Sequence, residues 1–218
     1  MAKAVIFDLW NTLAYNDVKV NPVLQIERLL GVKIRKYHEA EKSFMVKKYG
    51  SIREAAISLC NALNIEPSGG MLDEITRVWE DTVERFTLFP DVIGVLKALK
   101  RRCKIGLISN TDCFSVKYIY KNGYARYFDA VVFSCDVGLL KPDRKIFEIL
   151  LQKLGVKAGE TLMVGDNLKD DILPAESLGM RCVLIRRKGP YSLSWIEKGK
   201  YKNEISGLEG IWKYIGRA

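Results

Sequence analysis

The chain has 218 residues, 48% of them hydrophobic and 28% charged, the size and balance of one globular domain or of one domain carrying a large insertion. No stretch reaches the roughly 18 uncharged apolar residues of a membrane span, and Asp8 interrupts the N-terminal apolar run of MAKAVIFDLW, so a soluble, cytoplasmic protein without a membrane partner is expected. Five scattered cysteines with no Cys-x-x-Cys pair argue against a disulfide framework or zinc knuckle, and a lone histidine, His38, excludes His-cluster metal sites and a Ser-His-Asp arrangement, which leaves carboxylates, hydroxyls and lysines for any chemistry.

Residues 4–10, AVIFDLW, are the first of several short runs rich in β-branched residues and predict a strand. The next such run begins about 93 residues beyond Trp10, at Lys104, far more than one crossover helix needs. The pattern between them is helical from 21 to 86, broken at Gly31, Gly50 and the turn sequence Pro67-Ser68-Gly69-Gly70. It predicts an all-α cap of about four helices over 15–87, spliced into a core made of 1–14 and 88–218. Leu88-Phe89-Pro90-Asp91 leads back to that core, and 92–101 predicts a helix. Strands are then predicted at 104–110, 130–136, 161–166 and 181–187, with helices at 114–122, 143–154 and 170–178 between them. In the second of these, Ile146, Phe147, Leu150, Leu151 and Leu154 recur at helical spacing before Gly155. Alternation of this kind predicts an α/β fold, a Rossmann-like parallel sheet with right-handed crossovers.

The net charge of +9 is concentrated at the C-terminal end: residues 14–88 hold eleven basic and eleven acidic side chains, residues 181–218 nine and three. Trp195, Tyr201 and Trp212 lie among those lysines and would serve as stacking groups on a nucleic-acid surface. A solvated face whose aromatic rings pack on the core accounts for the same residues and is preferred.

Ligands of open parallel sheets bind beyond the carboxyl ends of the strands, and here those ends carry Asp8, Ser109-Asn110 and Gly165-Asp166, with Lys141-Pro142-Asp143 in the loop after the third strand of the core. Each alone reads equally as a helix cap or a solvated lysine. Together, FDLWNTL (7–13), LISNTD (107–112), GLLKPDRKIF (138–147) and VGDNLKDDILPAESLGM (164–180) resemble, in order and spacing, the four motifs of the haloacid dehalogenase superfamily, and the helical insert resembles its C1-type cap. The resemblance spans essentially the whole chain. It implies a hydrolase with Asp8 as covalent nucleophile, and most simply a phosphatase acting on a small phosphorylated metabolite through an aspartyl-phosphate.

The residues fit that chemistry. Asp8, Asp166 and Asp171 with Lys141 sum to a formal charge of −2, a cluster that needs protons or a cation, and an all-oxygen donor set suits Mg²⁺. Asp8, the Trp10 carbonyl and Asp166 are the expected ligands. Asp171, with its neighbour Asp170 as the alternative, would hold a metal-bound water or orient Lys141. Ser109 would donate to a phosphoryl oxygen, Lys141 would offset charge, and Thr12 and Asn110 would touch substrate, Thr12 alternatively capping its loop or bonding Asp8. Lys47, Lys48 and Tyr49 would reach an anionic or sugar substrate, or else form an exposed helix end.

Trp10 departs from the pattern. Family phosphatases carry a second Asp two residues after the nucleophile as general acid and base, whereas an indole offers only an N–H donor. Family dehalogenases have an aromatic residue there and use no metal, which makes a 2-haloacid dehalogenase the alternative, with Arg28, Arg35 or Arg53 as candidates for a substrate carboxylate. A non-catalytic phospholigand or nucleic-acid binder is the third reading. Substrate identity and oligomeric state have no sequence signal.

Overall fold

Strand β1 (Ala4–Phe7) is buried along its whole length, with Ala4 and Ile6 facing one apolar layer and Val5 and Phe7 the other. The structure, a computed structural model, describes residues 2–187 and 201–215. After β1 the chain makes a short strand, β2 (Ala14–Asn16), and enters four helices: α1 (Pro22–Leu30), α2 (Ile34–Phe44), α3 (Ile52–Ala62) and α4 (Gly69–Glu84). Asn21 caps α1 by accepting from the Val23 amide at 2.9 Å, with Pro22 supplying a preset first turn and Gly31 closing it at φ 64°. Ser68 caps α4 through the Met71 amide at 3.2 Å, so Gly69 and Gly70, expected in a turn, are already helical. The four helices enclose their own apolar cluster around Ile26, Tyr37, Leu59 and Ile75.

Strand β3 (Phe86–Leu88) brings the chain back antiparallel to β2, pairing Ala14 with Leu88 and Asn16 with Phe86. This ribbon was not foreseen, and the expected limits of the insert, 15 and 87, fall inside it. Beyond it come α5 (Val92–Leu99), β4 (Lys104–Ser109), α6 (Cys113–Lys121), β5 (Ala130–Phe133), the short α7 (Ser134–Val137), α8 (Arg144–Leu154), β6 (Thr161–Gly165), α9 (Leu173–Ser177), β7 (Arg181–Ile185), β8 (Glu204–Ile205) and α10 (Trp212–Ile215). Asp143, expected in α8, is its cap, accepting from the Lys145 amide. The helix expected at 170–178 opens earlier, as a π-helical turn over Leu168–Ile172. Residues 134–136, expected in a strand, turn into α7.

The six-stranded sheet is parallel throughout in the order β5-β4-β1-β6-β7-β8. One layer packs α5 and α6 against Val5 and Phe7, and the other packs α8, through Ile146, Phe147 and Leu150, against Ile6. Each such side chain, fully buried, contributes about 1.5–3 kcal/mol. The chain winds from β1 outward to β5, then resumes on the other side of β1 at β6, so the strand order reverses beside Asp8.

The C-terminal aromatics pack inward. The Tyr201 hydroxyl donates to Glu176 at 2.6 Å, and Trp212 lies half-buried on the α5 layer with the Arg102 guanidinium 5.4 Å from its ring. Trp195 lies outside the described residues. No helix among the described residues is long and apolar enough to cross a membrane.

Candidate active site

β1 runs directly into Asp8, whose amide continues the sheet by donating to the Val164 carbonyl at 2.9 Å. Its carboxylate is almost wholly buried. Lys141 Nζ donates to Asp8 Oδ1 and to Asp171 Oδ1, both at 2.6 Å, and is itself 4% exposed. Asp8 Oδ2 is enclosed and accepts no hydrogen bond from the described residues. Lysine and nucleophile candidate thus meet, across a separation of 133 residues, with one carboxylate oxygen tied and the other buried without a partner.

Asn110 holds the lysine in place. Its Nδ2 donates to the Lys141 carbonyl at 2.9 Å and its Oδ1 accepts from the Lys141 amide at 2.8 Å. The side-chain amide thus grips the Lys141 backbone through one N–H and one oxygen lone pair, a role additional to the substrate contact expected of it. Thr12 departs from expectation: it is fully enclosed, and its hydroxyl makes neither of the two bonds expected of it. Its carbonyl instead accepts from Arg187 Nε at 3.1 Å and Nη2 at 2.9 Å, while Arg187 Nη1 donates to Asp91 at 2.7 Å and its guanidinium covers Phe89 at 4.2 Å. Ser109 is buried at the end of β4 with its hydroxyl 3.4 Å from the Asn110 carbonyl.

Asp171 and not Asp170 turns inward. Its Oδ2 accepts from the Asn167 amide at 3.0 Å, whereas Asp170 accepts from the Asn167 side chain at 3.2 Å. The π-helical turn makes this possible, as does Gly165: a Cβ there would lie 2.4 Å from Asp171 Oδ2, so only glycine lets the carboxylate reach Lys141. Asp8, Asp166 and Asp171 each place an oxygen within 4.8 Å of the others. Asn11, which sequence reasoning passed over, lies beside Asp166 with a left-handed backbone at φ 55° and lowers its pKa. Asparagine is the residue type most tolerant of that conformation after glycine, which is the only sequence signal it carries.

The Trp10 indole donates to Thr111 Oγ1 at 3.1 Å and packs edge-on against Phe86. Of the residues expected near substrate or at a helix end, which lie instead in the link between α2 and α3, Lys48 pairs with Asp136 at 2.7 Å and the Tyr49 hydroxyl bonds Ser58 at 2.8 Å. The neighbouring Met45 carbonyl accepts from Ser134 at 2.8 Å, so this segment seals the helical insert to the sheet.

Burial pushes the Asp8 carboxyl up to about 6, against the pull of Lys141, with Asp171 adding to the rise. Burial, then Asp8 and Asp171, hold Asp166 well above the ordinary carboxylate range. Lys141 would be lowered by burial, but Asp171 and Asp8 together keep it above its usual value, so it stays charged. Three carboxylates around one lysine, an enclosed oxygen without a partner and an all-oxygen donor set fit a hard divalent cation such as Mg²⁺.

A family model for haloacid dehalogenase-like hydrolases matches residues 2–179. A glyceraldehyde 3-phosphate phosphatase of Methanopyrus kandleri is 31% identical over 202 residues, covering 86% of this chain and 85% of that protein. The structure of a HAD phosphatase from Thermococcus onnurineus superposes with a TM-score of 0.65 at 25% identity, covering 98% of each chain. A 2-haloacid dehalogenase from Pseudomonas syringae pv. Tomato, with a TM-score of 0.64 at 24% identity over 98% of this chain and 97% of that one, shares the fold.

Proposed function

Because the chain belongs to the haloacid dehalogenase-like hydrolases, we propose that it is a Mg²⁺-dependent phosphatase of a small phosphorylated metabolite, working through an aspartyl-phosphate on Asp8. The observation that carries this is the asymmetry of Asp8, with Oδ1 held by Lys141 and Oδ2 enclosed and unbonded. The similarity to a phosphatase of M. kandleri over most of both chains supports it.

In this reading Asp8 Oδ2 attacks phosphorus and the leaving oxygen departs on the opposite side. Lys141 fixes the nucleophile and offsets the charge that gathers on the phosphoryl oxygens. Asp171 and Asn110 are positioning residues that hold the two ends of Lys141, side chain and backbone. Ser109 borders the phosphoryl position. Asp8, the Trp10 carbonyl and Asp166, which Asn11 steadies, would hold Mg²⁺, whose charge makes the approach of a dianion to a carboxylate tolerable. Water then attacks the acyl-phosphate and regenerates Asp8. Residues 15–87 act as a cap over the strand ends, and the five free cysteines suit a reducing, cytoplasmic setting. Phosphate release from a panel of metabolites, with and without Mg²⁺, tests the whole reading.

Two further results are expected. In the metal-free chain the raised Asp8 and Asp166 mean that the folded state binds more protons than the unfolded one, so stability from Asp8 falls as pH rises from about 4 through about 6, and Asp166 acts in the same direction. Mg²⁺ must displace those protons, so its stabilisation seen by thermal melting grows from pH 5 to pH 7.5 and vanishes in Asp166→Ala. A pH-independent shift would contradict this. Secondly, with an indole at position 10, turnover tracks the acidity of the leaving group: activated aryl or acyl phosphates react about 10²-fold or more faster than alkyl phosphates, and Trp10→Asp narrows the gap. A flat dependence on leaving-group pKa would show that another group supplies the proton.

The aromatic side chain at position 10 also favours the dehalogenase reading, in which no proton is needed by the departing halide. Halide release from 2-haloacids without metal, and no phosphate release from any ester, would establish that alternative.

A further inference from the structure

A cavity of about 390 Å³ lies between the loop that follows β1 and helices α1 and α2. One wall is Trp10 and Asn11, the latter lying beside Asp166, so the cavity adjoins the carboxylate cluster. The remaining lining is chiefly aromatic and aliphatic, including Tyr15, Val23, Leu24 and Ile34, with His38 and three asparagines as its polar members. Among the described residues, no Lys, Arg, Asp or Glu lines it. Leu24 and Ile34, both in its lining, are left 38% and 37% exposed. His38 is oriented by Glu41, 3.0 Å from its Nδ1.

We propose that this cavity receives the leaving group of the substrate and selects an uncharged one with a flat or bulky apolar face, such as an aryl-alkyl alcohol or a nucleoside, over one bearing a second phosphate or a carboxylate. The inference rests on the phosphatase reading and narrows its substrate class. Its volume lies in the range of small-molecule pockets and exceeds what a three-carbon leaving group fills. Apolar walls gain by covering a ring, and Trp10 and Tyr15 offer ring faces and edges for stacking. An anionic leaving group in the same place would lose water with no lysine or arginine among the described lining residues to receive it, which is the costly way to bury charge. Specificity here comes from exclusion as much as from attraction.

The test compares alkyl esters of similar leaving-group acidity, so that the requirement for an activated leaving group is held constant. Benzyl phosphate is expected to exceed O-phosphoserine in kcat/KM by about tenfold or more. Leu24→Arg, at the exposed margin where folding tolerates it, should shrink that ratio at least about tenfold by favouring the anion. Independently of turnover, benzylphosphonate should bind the Asp8→Asn protein more tightly than phosphonoacetate in calorimetry, and Leu24→Arg in that background should reverse the order. Equal turnover of the two esters, or a ratio that Leu24→Arg leaves unmoved, overturns the proposal while the phosphatase reading stands. Failure to hydrolyse even acetyl phosphate brings down both.

Discussion

Asp8→Asn abolishes turnover, by about 10³-fold or more, and leaves the protein folded. The substitution keeps the shape of the side chain and an oxygen that accepts from Lys141, but an amide has no carboxylate oxygen to form an acyl-phosphate. Because the native carboxyl is held near 6 by burial, replacing it with a neutral group costs the fold little above that pH and raises the melting temperature of the metal-free protein there. Activity assays paired with thermal melts check both halves. Residual turnover above about one per cent in a folded variant would remove Asp8 from the nucleophile's role.

Lys141→Met should be damaging in a different way. It strips the shared cation from Asp8 and Asp171, each 2.6 Å from Nζ, and leaves two buried carboxylates facing one another. Breaking such an arrangement from one side typically destabilises by about 3–5 kcal/mol at neutral pH. The loss shrinks at acid pH, where the buried Asp8 takes up a proton: a group raised in the folded state contributes stability below its unfolded pKa and loses it as pH rises through the folded one. Urea unfolding of the variant at pH 5 and pH 8 reads this directly, and turnover is expected to disappear at both. A variant as stable as the parent at pH 8 would mean that Lys141 does not hold these charges together.

Much of this arrangement is legible in the sequence because it depends on strand ends. The runs AVIF, KIGLIS and TLMVG are buried on both faces, so their apolar residues are continuous and their polar successors, Asp8, Asn110 and Asp166, stand out. What stays hidden is whatever depends on a side chain's direction. Asn110 is a plausible ligand by position, yet its amide also grips the Lys141 backbone, a contact over 31 residues that no local pattern encodes. Asn11 gains its place from a backbone angle, Gly165 from the approach of Asp171, and the choice between Asp170 and Asp171 from a π-helical turn that shifts the usual 100° step. The short β2, β3 and β8, at two or three residues each, are below the length at which alternation can be read.

The small ribbon of β2 and β3 has a bearing on how the chain assembles. β1 must find β4, pairing Ala4 with Lys104, across a stretch of chain in which most residues belong to the helical insert. If the helices condense first on their own apolar cluster, the ribbon draws Ala14 against Leu88 and pinches off the insert as a closed lobe. The loop left to close between β1 and β4 then falls from about a hundred residues to about two dozen, which lowers its entropic cost by roughly 1 kcal/mol. Three backbone pairings thereby give the sheet a far more local topology than its numbering suggests, and the search for the central strand pair is shortened before any residue of the site has met its partner.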